Sequence, residues 1–277
     1  LHNEYRMPRI GKDLRPNKKI SEKKINLLFS ILNEYKTIVN SYNCEKVLVT
    51  ATNAFRLASN SKEISNRIKD NINFDVDIIS GDVEAEYAYL GALSGIKTAG
   101  STLIIDIGGG STELITGNRS EILFKRSYPL GSVIATEKYL KHSPPFSQEM
   151  EKLEFKLEEI FKQFSEKSIP DKVIAIAGTP TTLACMVKGL KEFEEAKIDD
   201  SDLNAVDLLN LISDIKILSP EQIKKNYGNV LNGREDIILG GGIILKKIMR
   251  IVDVDKVIVS SRGIRHGAII KYLADNF

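Results

Sequence analysis

The stretch "TLIIDIGGGSTELITG", Thr102 to Gly117, decides how the rest of the chain is read. An apolar, β-branched run ends in an aspartate, three glycines, two hydroxyl residues and a glutamate, a combination better suited to an anion than to a core. A phosphate loop of the helical kind leads into a helix whose N-terminus faces the anion. Here "TELITG" follows and alternates like a strand. That excludes a Walker loop, which also needs a Gly-Lys-Ser/Thr ending, and weakens a dinucleotide-binding reading. The spacing predicts a β-hairpin with a glycine-rich tip. Gly108, Gly109 and Gly110 let the backbone take conformations that other residues resist and bring N–H groups close to a ligand, while Ser111 and Thr112 add hydroxyl donors. Asp106, just before the tip, is placed to hold a divalent cation that bridges phosphate oxygens. A tight hairpin with a capped turn is the competing reading of this stretch alone.

Working outward, "EILFKRSYPL" gives a third strand beside the hairpin. Before it, an amphipathic helix over 21–41 places Ile25, Leu28, Leu32, Tyr35 and Ile38 on one face. "KVLVTA" (46–51) and "DVDIIS" (75–80) read as strands, and 62–71 and 82–93 as helices. After it come a long helix over about 147–168, the strand "KVIAIA" (172–177), helices through 182–250, the strand "KVIVS" (256–260) and a last helix after Gly263. Strands alternating with helices predict an α/β architecture with crossover connections.

The 277 residues, 42% hydrophobic and 27% charged, suffice for two domains or one large one with a proper core. Thirty-nine Lys and Arg against 37 Asp and Glu leave +2, so no global field favours nucleic acid or a membrane, and any polyanion site is local. The densest basic region is Arg6, Arg9, Lys12, Arg15, Lys18 and Lys19, which reads first as a solvated segment. Two cysteines, Cys44 and Cys185, make no disulfide framework and fit a reducing cytoplasm. No apolar run approaches the roughly 18 residues of a membrane helix.

Three further segments carry candidate chemistry. "AGTPTTLA" (177–184) puts Gly178, Thr179, Thr181 and Thr182 between a strand and a helix, either as a second set of donors or as a threonine cap of that helix. Glu84 and Glu86 lie two apart in "SGDVEAEYAYLG", so at most one of them points inward. Arg56 in "ATNAFRLAS" follows a strand end, where α/β folds put ligands, or else makes a surface ion pair.

Taken together, "ATNAFRLASN", "IISGDVEAEYAYLGAL", "LIIDIGGGSTEL", "YPLGSV", "AGTPTTLA", "REDIILGGGIIL" and "SSRGIRHGAI" resemble, in order and spacing, the exopolyphosphatase/guanosine pentaphosphate phosphatase (Ppx/GppA) family of the actin-like (ASKHA) superfamily. The resemblance implies two RNase H-like domains with mixed sheets flanked by helices and an active site in the cleft between them. Domain I would cover 1–97 and domain II 98–263, with a C-terminal helix, 264–277, returning to domain I. It implies hydrolysis of a terminal phosphoanhydride with Mg²⁺ or Mn²⁺, acting on inorganic polyphosphate, on guanosine pentaphosphate or on both, with polyphosphate or guanosine penta- or tetraphosphate as the bound partner.

In the family's SGxEEA motif the second acid is catalytic. Here "SGDVEA" puts Val83 at the first acid and Glu84 at the second, so the resemblance assigns Glu84 as general base. It implies Asp106 and Glu113 at the metal, and Gly108, Gly109, Gly110, Ser111 and Thr112 at the reacting phosphate. Arg56 would neutralise charge beside that phosphate, Gly178 and Thr179 would form the second loop, and Arg234 would lie near the substrate's other end. Arg265 matches a motif arginine, and His266, where the family commonly has Glu, reads as a surface or turn residue. The family's first phosphate loop, DxGSN, does not precede "LHNEYRMPRIGKDL", which reads as the mark of an absent N-terminal piece. The alternatives are a non-catalytic polyphosphate or alarmone binder and a small-molecule kinase of the same superfamily. A homodimer is left open.

Overall fold

The computed structural model describes all residues except 1, 7, 12, 13, 97–99, 119, 120, 165–169 and 232. Lys12 of the basic opening segment and the expected domain boundary at 97/98 lie outside the described residues. Two compact units emerge, Leu1–Glu84 and Ala85–Phe277, and the chain passes from one to the other inside a helix.

The first unit contains α1 (Glu22–Ser41), β1 (Val49–Ala51), α2 (Asn53–Leu57), α3 (Ser61–Ile72), β2 (Val76–Ile78) and the opening turn of α4 (Gly81–Leu93). β1 and β2 pair in parallel, Ala51 opposite Ile78. Isoleucines 64, 68 and 72, each one turn apart along α3, meet Ile25, Leu28 and Leu32 of α1 in one core. The buried Asn60 ties the lead-in segment to this core, accepting from Ile20 N at 2.9 Å and donating to Ile20 O at 3.0 Å. Within the basic opening stretch, Arg6 pairs with Glu4 and, at 3.3 Å, with Glu34 of α1.

The second unit is built on β3 (Thr102–Ile107), β4 (Thr112–Gly117), β5 (Ile122–Tyr128), β6 (Lys172–Ile176), β7 (Ser201–Asn204) and β8 (Lys256–Val259). They form one sheet in the order β5-β4-β3-β6-β8-β7. β3, β6 and β8 run parallel, β4 is antiparallel to both its neighbours, and β7 closes the far edge antiparallel to β8. Setting β7 aside, this is the strand arrangement of an RNase H-like domain within a mixed α/β fold. The helices expected throughout 182–250 give way at 201–204 to β7, whose polar "SDLN" carries too little alternation to announce a strand.

Alternate residues of β3 feed different cores, as the two-residue strand period requires. Leu103 and Ile105 face the larger one with α5 (Ser132–Tyr139), α6 (Ser147–Phe161), α7 (Gly178–Val187), α9 (Ala205–Ile215) and α11 (Ile238–Ile251). α8 (Glu195–Ile198) and α10 (Pro220–Tyr227) complete that side of the chain order. Ile104 faces the other core with Ala85, Ala88, Tyr89 and Ala92 of α4. α12 (Ile264–Asn276) crosses α4 at glycines: a methyl group at Gly91 would meet Gly263 O at 2.1 Å, and one at Gly267 would meet Tyr87 O at 1.8 Å.

Candidate active site

In the first unit the structure joins two of the expected residues. α4 starts because Ser80 Oγ accepts the Val83 N–H at 3.2 Å, and Glu84 follows in its first turn. Glu84 is only 8% exposed. Arg56 Nη1 lies 2.7 Å from Glu84 Oε2 and donates to the Ile79 carbonyl at 2.9 Å. Its N–H aligns with that carbonyl and not with the carboxylate, so Oε2 is in ion-pair contact yet buried with no aligned hydrogen bond among the described residues. Glu86 goes the other way, half-exposed and 3.5 Å from Lys271 Nζ.

In the second unit the predicted hairpin is present, with Asp106 opposite Glu113 and Ile107 opposite Thr112. Gly108 N donates to Ser111 O at 3.0 Å and closes the tip. None of the three tip glycines takes a left-handed backbone; a Cβ would be tight at two of them, 3.3 Å from Ser111 O at Gly108 and 3.1 Å from Val133 Cγ2 at Gly109. The N-terminus of α5 docks on the tip. Ser132 N donates to Gly108 O and Val133 N to Gly109 O, both at 2.9 Å, and Ile134 N to Gly109 O at 3.2 Å. In a trans peptide the C=O and the following N–H point in opposite directions. With the carbonyls of Gly108 and Gly109 turned to α5, the amides of Gly109 and Gly110 point away from it. α5 was not expected from sequence; "YPLGSV" was the signal, since a glycine before a Ser is a helix-start pattern.

One residue of the expected cradle is spent elsewhere. The Thr112 hydroxyl donates to Leu130 O at 2.8 Å and the residue is 0% exposed, so it braces the hairpin and offers no donor to a phosphate.

The second loop joins β6 to α7. Ala177 precedes the helix at φ 75°, ψ −176°, a conformation that belongs almost entirely to glycine and costs of order 1–3 kcal/mol elsewhere. No side chain caps α7, which disposes of the threonine-cap reading. Thr181 Oγ1 turns back to Ala177 O at 2.9 Å. Thr179 is buried and its methyl group packs toward Gly241. Arg234, also buried, lies flat against Gly178, where a Cβ would stand 2.2 Å from Nη2. The arginine expected near the substrate's far end therefore sits at the second donor loop.

Directly opposed residues of an antiparallel pair share a sheet face. Asp106 and Glu113, 6% and 4% exposed, are such a pair on the face that carries Ile104. Ser127 of β5 donates to Glu113 Oε1 at 2.6 Å. Two buried carboxylates side by side are a hard-oxygen donor set. Among the described residues no group of three or more His, Cys, Asp or Glu is assembled. The pair fits the donor chemistry of Mg²⁺ or Mn²⁺, which take one or two carboxylates and complete their shell with water and phosphate oxygens.

Burial distinguishes three remaining residues. Cys185 lies in α7 with its thiol pushed up to about 11 by burial, a protonated core group, whereas Cys44 is exposed. His266 is not a surface residue: it is half-buried in the first turn of α12, its Nδ1 shielded with no hydrogen bond, and burial with the nearby Arg265 and Arg262 charges lowers its pKa.

The first unit thus holds a buried acid beside an arginine, and the second a glycine-tipped hairpin and a helix N-terminus without a side-chain cap, within a mixed α/β fold. The chain matches the Ppx/GppA phosphatase family over residues 1–276 and belongs to it. It is 30% identical over 98% of its length to a Fusobacterium nucleatum protein called bifunctional 3-dehydroquinate synthase/phosphatase, of which it spans 42%. It is 26% identical to exopolyphosphatase 2 of Mycobacterium tuberculosis, covering 96% of this chain and 87% of that one. A crystal structure of the Aquifex aeolicus Ppx/GppA family member superposes with a TM-score of 0.84 at 29% identity, over 98% of this chain and 89% of the other. Among the described residues no helix is long and apolar enough to cross a membrane.

Proposed function

We propose that the chain is a metal-dependent phosphohydrolase that removes the terminal phosphate of inorganic polyphosphate, of guanosine pentaphosphate, or of both. The observation that carries this reading is Glu84: a buried carboxylate whose Oε2 rests 2.7 Å from Arg56 Nη1 without an aligned hydrogen bond is an acceptor with capacity left for a proton. In this reading Glu84 takes the proton of the attacking water. The Gly109 and Gly110 amides, the Ser111 hydroxyl and the amides at the start of α7 receive the oxygens of the phosphate, where negative charge gathers as the terminal bridge breaks. Arg56 adds a positive charge beside the base, and Arg234 one beside the second loop. Asp106 and Glu113 would hold Mg²⁺ or Mn²⁺, which supplies charge neutralisation on the phosphate oxygens. The names of the M. tuberculosis and F. nucleatum relatives support the same class of reaction.

The test is phosphate release from each substrate by purified protein with Mg²⁺, for the wild type and Glu84→Gln. Removal of a general base costs about 10²–10⁴-fold in rate, while binding of the substrate is retained. A Glu84→Gln variant with full activity would end the assignment, and tight binding without turnover by the wild type would point to a binder.

A further inference from the structure

The motif "LGGGIIL" in α11 has no donor or acid, and nothing in the proposed reaction uses it. Three successive glycines in a helix interior are poor helix formers, so the contacts there explain their presence. A methyl group at Gly241 would stand 2.3 Å from Thr179 Cγ2 and 3.3 Å from Ser132 Cβ. One at Gly240 would stand 2.8 Å from Thr136 Oγ1 and 3.2 Å from Ser132 O. Gly242 differs: its neighbours are the core side chains of Ile212 and Leu183 at 3.3 and 3.5 Å, neither of them in the hairpin or in the first turn of α7.

Ser132 and Thr179 belong to the two donor elements. Ser132 is the first residue of α5, whose amides hold the hairpin by the carbonyls of Gly108 and Gly109. Thr179 is in the first turn of α7, at the uncapped N-terminus beside Arg234. Gly241 touches both.

We propose that Gly241 is a positioning residue: its missing side chain sets the separation between the N-termini of α5 and α7, and so between the hairpin amides and the α7 amides that receive one phosphate chain. The inference rests on the function proposed above, because it assumes that both loops serve the same substrate. Alanine at 241 has to displace Thr179, and with it the start of α7. Serine at 179 removes the methyl group in the way and keeps the amide, which makes the displacement reversible by a second substitution.

The experiment compares the full chain with Gly241→Ala, Gly242→Ala, Thr179→Ser and the double variant Gly241→Ala/Thr179→Ser by steady-state phosphate release, with thermal melts alongside. Gly241→Ala is expected to lower kcat/KM at least tenfold while Gly242→Ala leaves it within twofold, and the double variant is expected to match Thr179→Ser alone. Wild-type kinetics in Gly241→Ala, failure of Thr179→Ser to restore activity, or an equal loss in Gly242→Ala overturns the proposal. If Gly241→Ala does not fold, a double variant that folds and matches Thr179→Ser supports it, and one that does not fold overturns it. If the wild type releases no phosphate, the hydrolytic reading falls and the same series is read by calorimetric titration with tripolyphosphate. Affinity weakened at least tenfold by Gly241→Ala and recovered in the double variant then supports the spacing role. Unchanged affinity, or no binding by the wild type, overturns it.

Discussion

Arg56 Nη1 stands 2.7 Å from Glu84 Oε2 while donating to the Ile79 carbonyl at 2.9 Å, so the arginine is anchored to the strand end and the acid rests against it without an aligned bond. The pair gives a buried carboxylate a countercharge without an aligned hydrogen bond at Oε2. Burying an ionised carboxylate unpaired is costly, whereas a fully hydrogen-bonded one has no reason to take another proton. This arrangement lies between the two.

Arg56→Ala is expected to reduce kcat/KM for phosphate release by about 10–10³-fold, the range seen when one preorganised charge or donor is lost. Arg56→Lys should recover only part, because one ammonium cannot copy the fixed fork of a guanidinium. Equal activity of Arg56→Lys and wild type would show that charge alone matters.

Gly131→Ala tests the docking of α5 on the hairpin. The added Cβ would fall 2.4 Å from Gly108 O and 2.7 Å from Gly109 O, backbone atoms that cannot rotate away. Overpacking of this kind costs about 1–3 kcal/mol. A lowered Tm together with at least tenfold weaker kcat/KM is expected, and an unaltered rate would separate α5 from the phosphate loop.

Ser127→Ala frees Glu113 Oε1 from its 2.6 Å bond. Loss of an outer partner of a metal ligand typically weakens metal affinity about 10–100-fold. Titration with Mn²⁺ by paramagnetic resonance should show this directly, and chelation of the metal should abolish phosphate release in the wild type, with recovery on adding Mg²⁺.

Glu149 governs the acid side of stability around α6. Burial pushes its pKa up, but the His142 ring at 3.0 Å and the N–H groups of Phe146 and Lys141 outweigh this and bring it down from 4.5 to about 2. A carboxyl whose folded pKa is depressed contributes stability above its usual pKa and loses that contribution as the pH falls toward the folded value. Glu149→Gln should therefore melt below wild type at neutral pH, and the gap should close between about pH 4.5 and 2 in melts followed by circular dichroism. A gap that persists at the lowest pH would mean that shape, not charge, makes the cap.

Some of this was legible along the chain. The hairpin followed from alternation on either side of three glycines; helix geometry said only that Glu84 and Glu86 diverge, by about 200°, and the family resemblance chose Glu84 between them. The four-residue β7 and the two-turn α5 were not legible, since each is shorter than the window in which a period can be counted. Hydroxyl direction was equally hidden. Thr112 and Thr179 look like donors in a loop sequence, but one is consumed by Leu130 and the other packs against Gly241.

What the sequence determined by itself is local: which runs are strands, where a backbone free of side chains comes close to something, and which residue types could meet phosphate and a metal. Those properties depend on neighbours a few positions away. Only the tertiary structure decided which way each donor faces, because that depends on contacts from residues far off in the chain: Ile79 for Arg56, Ser132 and Val133 for the glycine carbonyls, Leu130 for Thr112 and Gly241 for Thr179. A hydrogen bond has a direction as well as a partner, and no periodicity in the sequence encodes it.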